Sequence, residues 1–96
     1  MSSKFSSTDA HRRVNRLAFG LAFREIRKTR KMSQEQLAFD SGFDRTYISL
    51  VEGGVRSPTI RSLVNLAEAL QISSSEILAR MEALLKNATH QRKAPG

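Results

Sequence analysis

Apolar residues recur at intervals of three and four along most of this chain, and nowhere do they alternate with polar ones long enough to specify a strand. From about Val14 to Arg30, Phe19, Phe23 and Ile26 share one side of a helix whose other faces carry basic residues. Gly20 inside it costs about 1 kcal/mol relative to Ala, which marks a close approach by another helix. Ser33 followed by Gln36 predicts a capping box for a second, short helix closed by Ser41 and Gly42. Asp44 caps a third over Arg45 to Glu52, with Ile48 and Val51 facing inward and Gly53 and Gly54 as its stop. Thr59 opens a fourth with Leu63, Leu66, Ala67 and Leu70 as its buried stripe, and Ser73 with Glu76 opens a fifth that ends near Asn87. The connections are a few residues long, so the expected fold is all-α, a compact five-helix domain.

The chain has 96 residues, enough for one domain and too few for two. Composition divides it into a flexible polar tail over 1–12, the folded unit over 13–87 and a flexible basic tail over 88–96. There is no Cys, which removes disulfides and thiolate metal sites and favours an intracellular setting. No apolar run approaches the roughly 18 residues of a membrane span, and the first residues lack a signal-peptide core. The expectation is a soluble, cytoplasmic protein with no membrane partner.

Charge changes the picture. The formal net charge is +7, and all of it resides before Met32, where nine basic residues face two acidic ones; beyond, seven of each cancel. Such a chain is drawn to polyanions, although a solvated helix face gives the same count and charge alone does not distinguish DNA, RNA and lipid.

Helices two and three have the dimensions of a helix-turn-helix, in which an exposed short helix braced by its neighbour fits the major groove. The residues go further. Ile26-Arg27-Lys28, Ser33 through Ala38, Ser41 through Ser49, Glu52-Gly53-Gly54, Pro58-Thr59 and Leu63 through Leu70 together resemble the Cro/C1-type (Xre) helix-turn-helix family over about residues 19–78. The string Asp44-Arg45-Thr46-Tyr47-Ile48-Ser49 is also similar to that of small controller proteins of restriction-modification systems. The resemblance implies a lambda-repressor-like fold and a regulator of transcription that binds double-stranded DNA as a dimer on a pseudo-palindromic operator.

It also implies roles. Gln34, at the start of the first motif helix, binds a phosphate or a neighbouring side chain. Arg27 and Glu52 form a structural pair between the first helix and the end of the third. Ala38, Gly42 and Ile48 serve packing, the turn and the core. With Ile48 inward, steps of 100° put Thr46, Ser49 and Leu50 on the outer face of the third helix and Arg45 and Tyr47 on its flanks. Arg45 is then the candidate for a guanine, Thr46 and Ser49 for bases or phosphates, and Tyr47 for the backbone. Leu50 packs on a thymine methyl or sugar, or else on helix four. Departures from the family pattern at Gly53 and Val55 leave Arg56, with Arg61 as a second candidate, as the loop's backbone anchor, and Lys31 in place of a common Gly predicts a tighter or differently capped turn. Arg12, Arg13 and Arg16 form either a DNA-tracking arm or a solvated helix end.

No convergent nucleophile and base, metal-ligand set or phosphate loop appears: His11 and His90 fall in opposite tails. The expectation is therefore no enzyme, no catalytic residue, no cofactor and no metal. In the fifth helix, Ile77 and Leu78 match family core positions, while Met81, Leu84 and Leu85 prolong the stripe and either form a homodimer interface or fold back on their own domain. The alternative function is an antitoxin-type module that binds a protein partner and also autoregulates its operon.

Overall fold

Residues 2–19 and 74–93 contain neither Gly nor Pro, so nothing in the backbone chemistry interrupts a helix there. The computed structural model describes residues 2–93, and side chains over 9–87. Five helices follow in order: α1 (Ser2–Thr29), α2 (Gln34–Ser41), α3 (Arg45–Glu52), α4 (Ile60–Leu70) and α5 (Ser74–Lys93). The expected all-α, five-helix fold is present, with no strand among the described residues. The outer helices are longer than the apolar pattern required, starting at Ser2 rather than Val14 and ending at Lys93 rather than near Asn87. Of the two expected tails, Met1 and residues 94–96 lie outside the described residues.

The helix ends show which caps form. Ser33 accepts the Gln36 amide at 3.0 Å, but the Gln36 side chain turns to Asp40 at 2.8 Å instead of reaching back, so only half of the expected box is made. Asp44 occupies the N-cap of α3 without a side-chain hydrogen bond, a correction to its expected cap; its charge still complements the helix start. Thr59 and Ser73 cap α4 and α5, accepting the amides of Ser62 at 3.1 Å and Glu76 at 3.3 Å. At the end of α1, Lys31 adopts φ 60, with its amide bonded to Lys28 O and that of Met32 to Arg27 O. This is a Schellman ending made without glycine. The turn is thus of the left-handed type, not a tighter one.

The core is aliphatic with one aromatic pair. Phe19 and Phe23 of α1 stack at 5.9 Å and pack with Leu37 and Ala38, Ile48 and Val51, Leu66, Ala67 and Leu70, and Ile77. Helices α1, α3 and α4 thus contribute the stripes their periodicity marks, and α2 and α5 add Leu37, Ala38 and Ile77. Leu78 departs from this: it is 42% exposed, because Ile77 takes the inward position beside it. Met81 packs against the core, Leu84 and Leu85 are half-buried, and α5 lies chiefly along α1, where Arg80 pairs with Glu25 at 2.7 Å.

Two glycines serve different constraints. A Cβ on Gly20 would stand 2.5 Å from Glu52 O and 2.6 Å from Val51 O, so α1 crosses the C-terminal end of α3 at backbone contact. Gly42 has nothing within 4 Å of that position but adopts φ 79, the left-handed turn between α2 and α3. Beside the first crossing, Arg27 and Glu52 are both buried and joined by Nε to Oε2 at 2.5 Å and Nη2 to Oε1 at 3.0 Å. Arg27 Nη1 also donates to Met32 O at 2.7 Å, and Gln34 Nε2 donates to Glu52 Oε1 at 3.0 Å. One carboxylate therefore ties α1, α2 and α3 together.

Gly20→Ala is expected to destabilise the protein by about 1–3 kcal/mol in urea unfolding despite the better helix propensity of Ala, because the contact is with backbone that has no rotamer to yield. Glu52→Ala should cost about 3–5 kcal/mol by leaving the guanidinium buried and unpaired, whereas Arg27→Met combined with Glu52→Leu should cost less than the single change. The same unfolding measurement on the single and double variants checks the order.

Candidate nucleic-acid interface

The sequence Asp44-Arg45-Thr46-Tyr47-Ile48-Ser49-Leu50-Val51-Glu52 buries every third or fourth side chain, Ile48, Val51 and Glu52, and so fixes the rotation of α3. What remains faces outward. Arg45, Thr46 and Ser49 are exposed, Leu50 is half-buried, and the four line one shallow groove along the helix. Arg45 and Thr46 lie in the first turn. Among the described residues the ion pairs are Arg27–Glu52 and Arg80–Glu25, so Asp44 does not hold Arg45. Its guanidinium stands unpaired at the start of the helix.

Tyr47 and Arg56 form a flank. The Tyr47 ring stacks on Phe43 at 4.8 Å, and the Arg56 guanidinium lies over the Tyr47 ring at 5.7 Å. The loop is held to α3 as well by the amides of Val55 and Arg56, which donate to Leu50 O at 2.9 and 3.2 Å. Arg56 is thus exposed but restrained, a geometry suited to a phosphate contact.

On the other side, an open cleft of about 440 Å³ is lined by Arg24, Arg27, Gln34, Ser49, Glu52 and Gly53. Gln34, half-buried at the start of α2, is bonded to Glu52; this is the neighbouring-side-chain alternative of its two expected roles, and its second amide hydrogen and its carbonyl remain. Arg27 and Glu52 pair as expected, at the cleft floor. Arg24 did not emerge from the sequence, although its spacing three residues before Arg27 places both on one helix face. Phe43 was missed too, since its partner Tyr47 was read as facing the backbone alone.

The structure divides the N-terminal arginines. Arg16 donates from Nε to Gly54 O at 3.1 Å, so it is tied to the loop that follows α3. Arg12 and Arg13 are exposed on the earlier turn. Met81, Leu84 and Leu85 lie on α5, along α1, and do not join the groove or the cleft. Among the described residues no three His, Cys, Asp or Glu side chains gather as for a metal ion, and no helix is long and apolar enough to cross a membrane.

Comparison with known proteins places this geometry. A family model described as helix-turn-helix matches residues 23–77, which span α2 and α3 with their bracing helices. The control protein C.BamHI of Bacillus amyloliquefaciens is 39% identical over 64 residues, covering 66% of this chain and 79% of that protein. The crystal structure of the restriction-modification controller protein C.AhdI from Aeromonas hydrophila aligns with a TM-score of 0.63 at 42% identity, over 65% of this chain and 94% of that one. The controller C.Esp1396I, solved as a tetramer in complex with its natural 35 base-pair operator, aligns at 0.67 with 32% identity over 72% of this chain and 91% of that one. With the family match running over more than half of the chain and across the whole motif, the chain belongs to the Cro/C1-type helix-turn-helix family of DNA-binding regulators, among relatives that include restriction-modification controllers.

Proposed function

We propose that this protein regulates transcription by reading a pseudo-palindromic operator in double-stranded DNA as a homodimer, with α3 in the major groove. The observation that carries this reading is the unpaired, exposed set Arg45, Thr46 and Ser49 on a short helix whose inner face is locked by Ile48, Val51 and Glu52. Arg45 reads a guanine; Thr46 and Ser49 contact bases or phosphates; Leu50 lies against a thymine methyl or sugar. Gln34, Tyr47 and Arg56 hold the backbone on either side. The work is binding without catalysis or cofactor, inside the cell.

Dimerisation supports the reading by spacing. A twofold pair sets its recognition helices about 34 Å apart, one turn of DNA, and the match to a protein crystallised as a tetramer on its operator favours association. Met81, Leu84 and Leu85 of α5 supply the contact, with Met81 shared between the core and the second subunit.

Competition binding at fixed salt tests the reading of bases. Arg45→Ala should lose a factor of about 5 to 150 on operator DNA, corresponding to the roughly 1–3 kcal/mol of a bidentate guanine contact, with affinity for random duplex almost unchanged. Arg56→Ala should weaken both duplexes equally and reduce the salt slope by about one. Equal losses from Arg45→Ala on both duplexes would reassign it to the phosphates.

Sedimentation at micromolar concentration should show a dimer that Leu84→Glu separates while the helical circular dichroism signal is retained. A persistent monomer in the parent chain sinks the dimer.

A further inference from the structure

Four arginines of α1 share a face with Gly20. At 100° per residue, Arg13, Arg16, Arg24 and Arg27 all fall within about 40° of it. That face meets the C-terminal end of α3, where the Gly20 contacts bring the carbonyls of Val51 and Glu52 against α1. Two of the arginines are used there: Arg16 on Gly54 O and Arg27 on Glu52. Glu52 cancels the Arg27 charge, and the Arg16 guanidinium is held on a carbonyl and does not line the cleft beside Gln34.

Arg24 is different. It is exposed and has no hydrogen bond or ion pair among the described residues, yet it lines the cleft with Gln34, Ser49 and Gly53. Ser49 belongs also to the groove formed with Arg45, Thr46 and Leu50, so the cleft and the outward face of α3 are one continuous surface. The other charged groups of the cleft, Arg27 and Glu52, neutralise each other, and neighbouring Glu25 is directed to Arg80 on α5. The cleft therefore carries one uncompensated positive charge, at Arg24, with the Gln34 amide and the Ser49 hydroxyl beside it as neutral hydrogen-bonding groups.

We infer that Arg24 is a DNA-backbone contact supplied from α1, outside the two motif helices, receiving a phosphate beside Ser49 while Arg56 holds another on the opposite flank of α3. This rests on the proposed reading of α3 in the major groove. It places the grip on both sides of the recognition helix and leaves Arg16 and Arg27 out of it, although all three arginines belong to one stripe.

The test is the salt dependence of affinity of the full chain for a short labelled duplex of random sequence and for operator DNA. Arg24→Gln should weaken both duplexes several-fold and equally, and flatten the plot of log affinity against log salt by about one per bound subunit. Arg24→Lys should restore most of the slope. The thermal midpoint should not move, because Arg24 has no partner in the fold to lose. Arg30→Gln removes the same charge beside the α4–α5 turn, where Arg30 donates to Gln71 O, and should leave the slope as it is. An unchanged slope in Arg24→Gln, a slope change matched by Arg30→Gln, or a loss confined to the operator overturns the assignment. Failure of the parent chain to bind any duplex removes the proposed function itself and is seen before any variant is made.

Discussion

A single carboxylate organises the helix-turn-helix. Glu52 receives two bonds from Arg27 and one from Gln34, so the last residue of α3 is fixed to α1 and to the first residue of α2 at once. Taking a carboxylate and a guanidinium out of water costs several kcal/mol per ion, and the paired geometry with its extra donors does little more than offset that. Its contribution is positional: beside the burial of Ile48 and Val51, it adds directional bonds from α3 to α1 and α2 that a hydrophobic pair of similar volume would not make. Arg is required at position 27, since the planar fork addresses Glu52 and the Met32 carbonyl together, which an ammonium does not reproduce.

The backbone geometry around this knot is consistent with it. Gly20 removes the side chain that would lift α1 from α3, and Gly54 adopts φ 76 where a Cβ would strike Leu17, so the chain leaving α3 turns within reach of Arg16. The last residue of α3 and the loop after it are thereby each held by a guanidinium group, Arg27 on the Glu52 side chain and Arg16 on Gly54 O. The strong positive charge of the N-terminal third is thus partly a structural device. The Phe43, Tyr47 and Arg56 stack plays a similar role on the other flank, using ring faces in place of carbonyls.

Most of the fold was legible because helix periodicity, capping residues and turn glycines report local chemistry. The stripes through Phe23, Ile48 and Leu66 are legible for that reason, whereas Ile77 is placed by resemblance alone. Boundaries were less so: polar residues without breakers continue a helix but carry no apolar signal, hence the early start of α1 and late end of α5. The Arg27–Glu52 pair was accessible only through resemblance, since residues 25 apart in sequence have no periodic relation. Arg16 and Arg24 show the limit most clearly. Both are basic residues on an amphipathic helix, and only the path of α3 across it separates one that caps a carbonyl from one that stays free.

The bonds that hold α3 fall on its inner side chains and on the carbonyls of its last turn and the following loop: Ile48, Val51, Glu52, and the oxygens of Leu50 and Gly54. None uses the side chains of Arg45, Thr46 or Ser49. These three outward positions are consequently decoupled from folding, and exchanging them leaves the scaffold unchanged. Under the proposed reading, Arg45, Thr46 and Ser49 are positions of this eight-residue helix where the recognition surface of a relative can be grafted without touching the packing that holds α3.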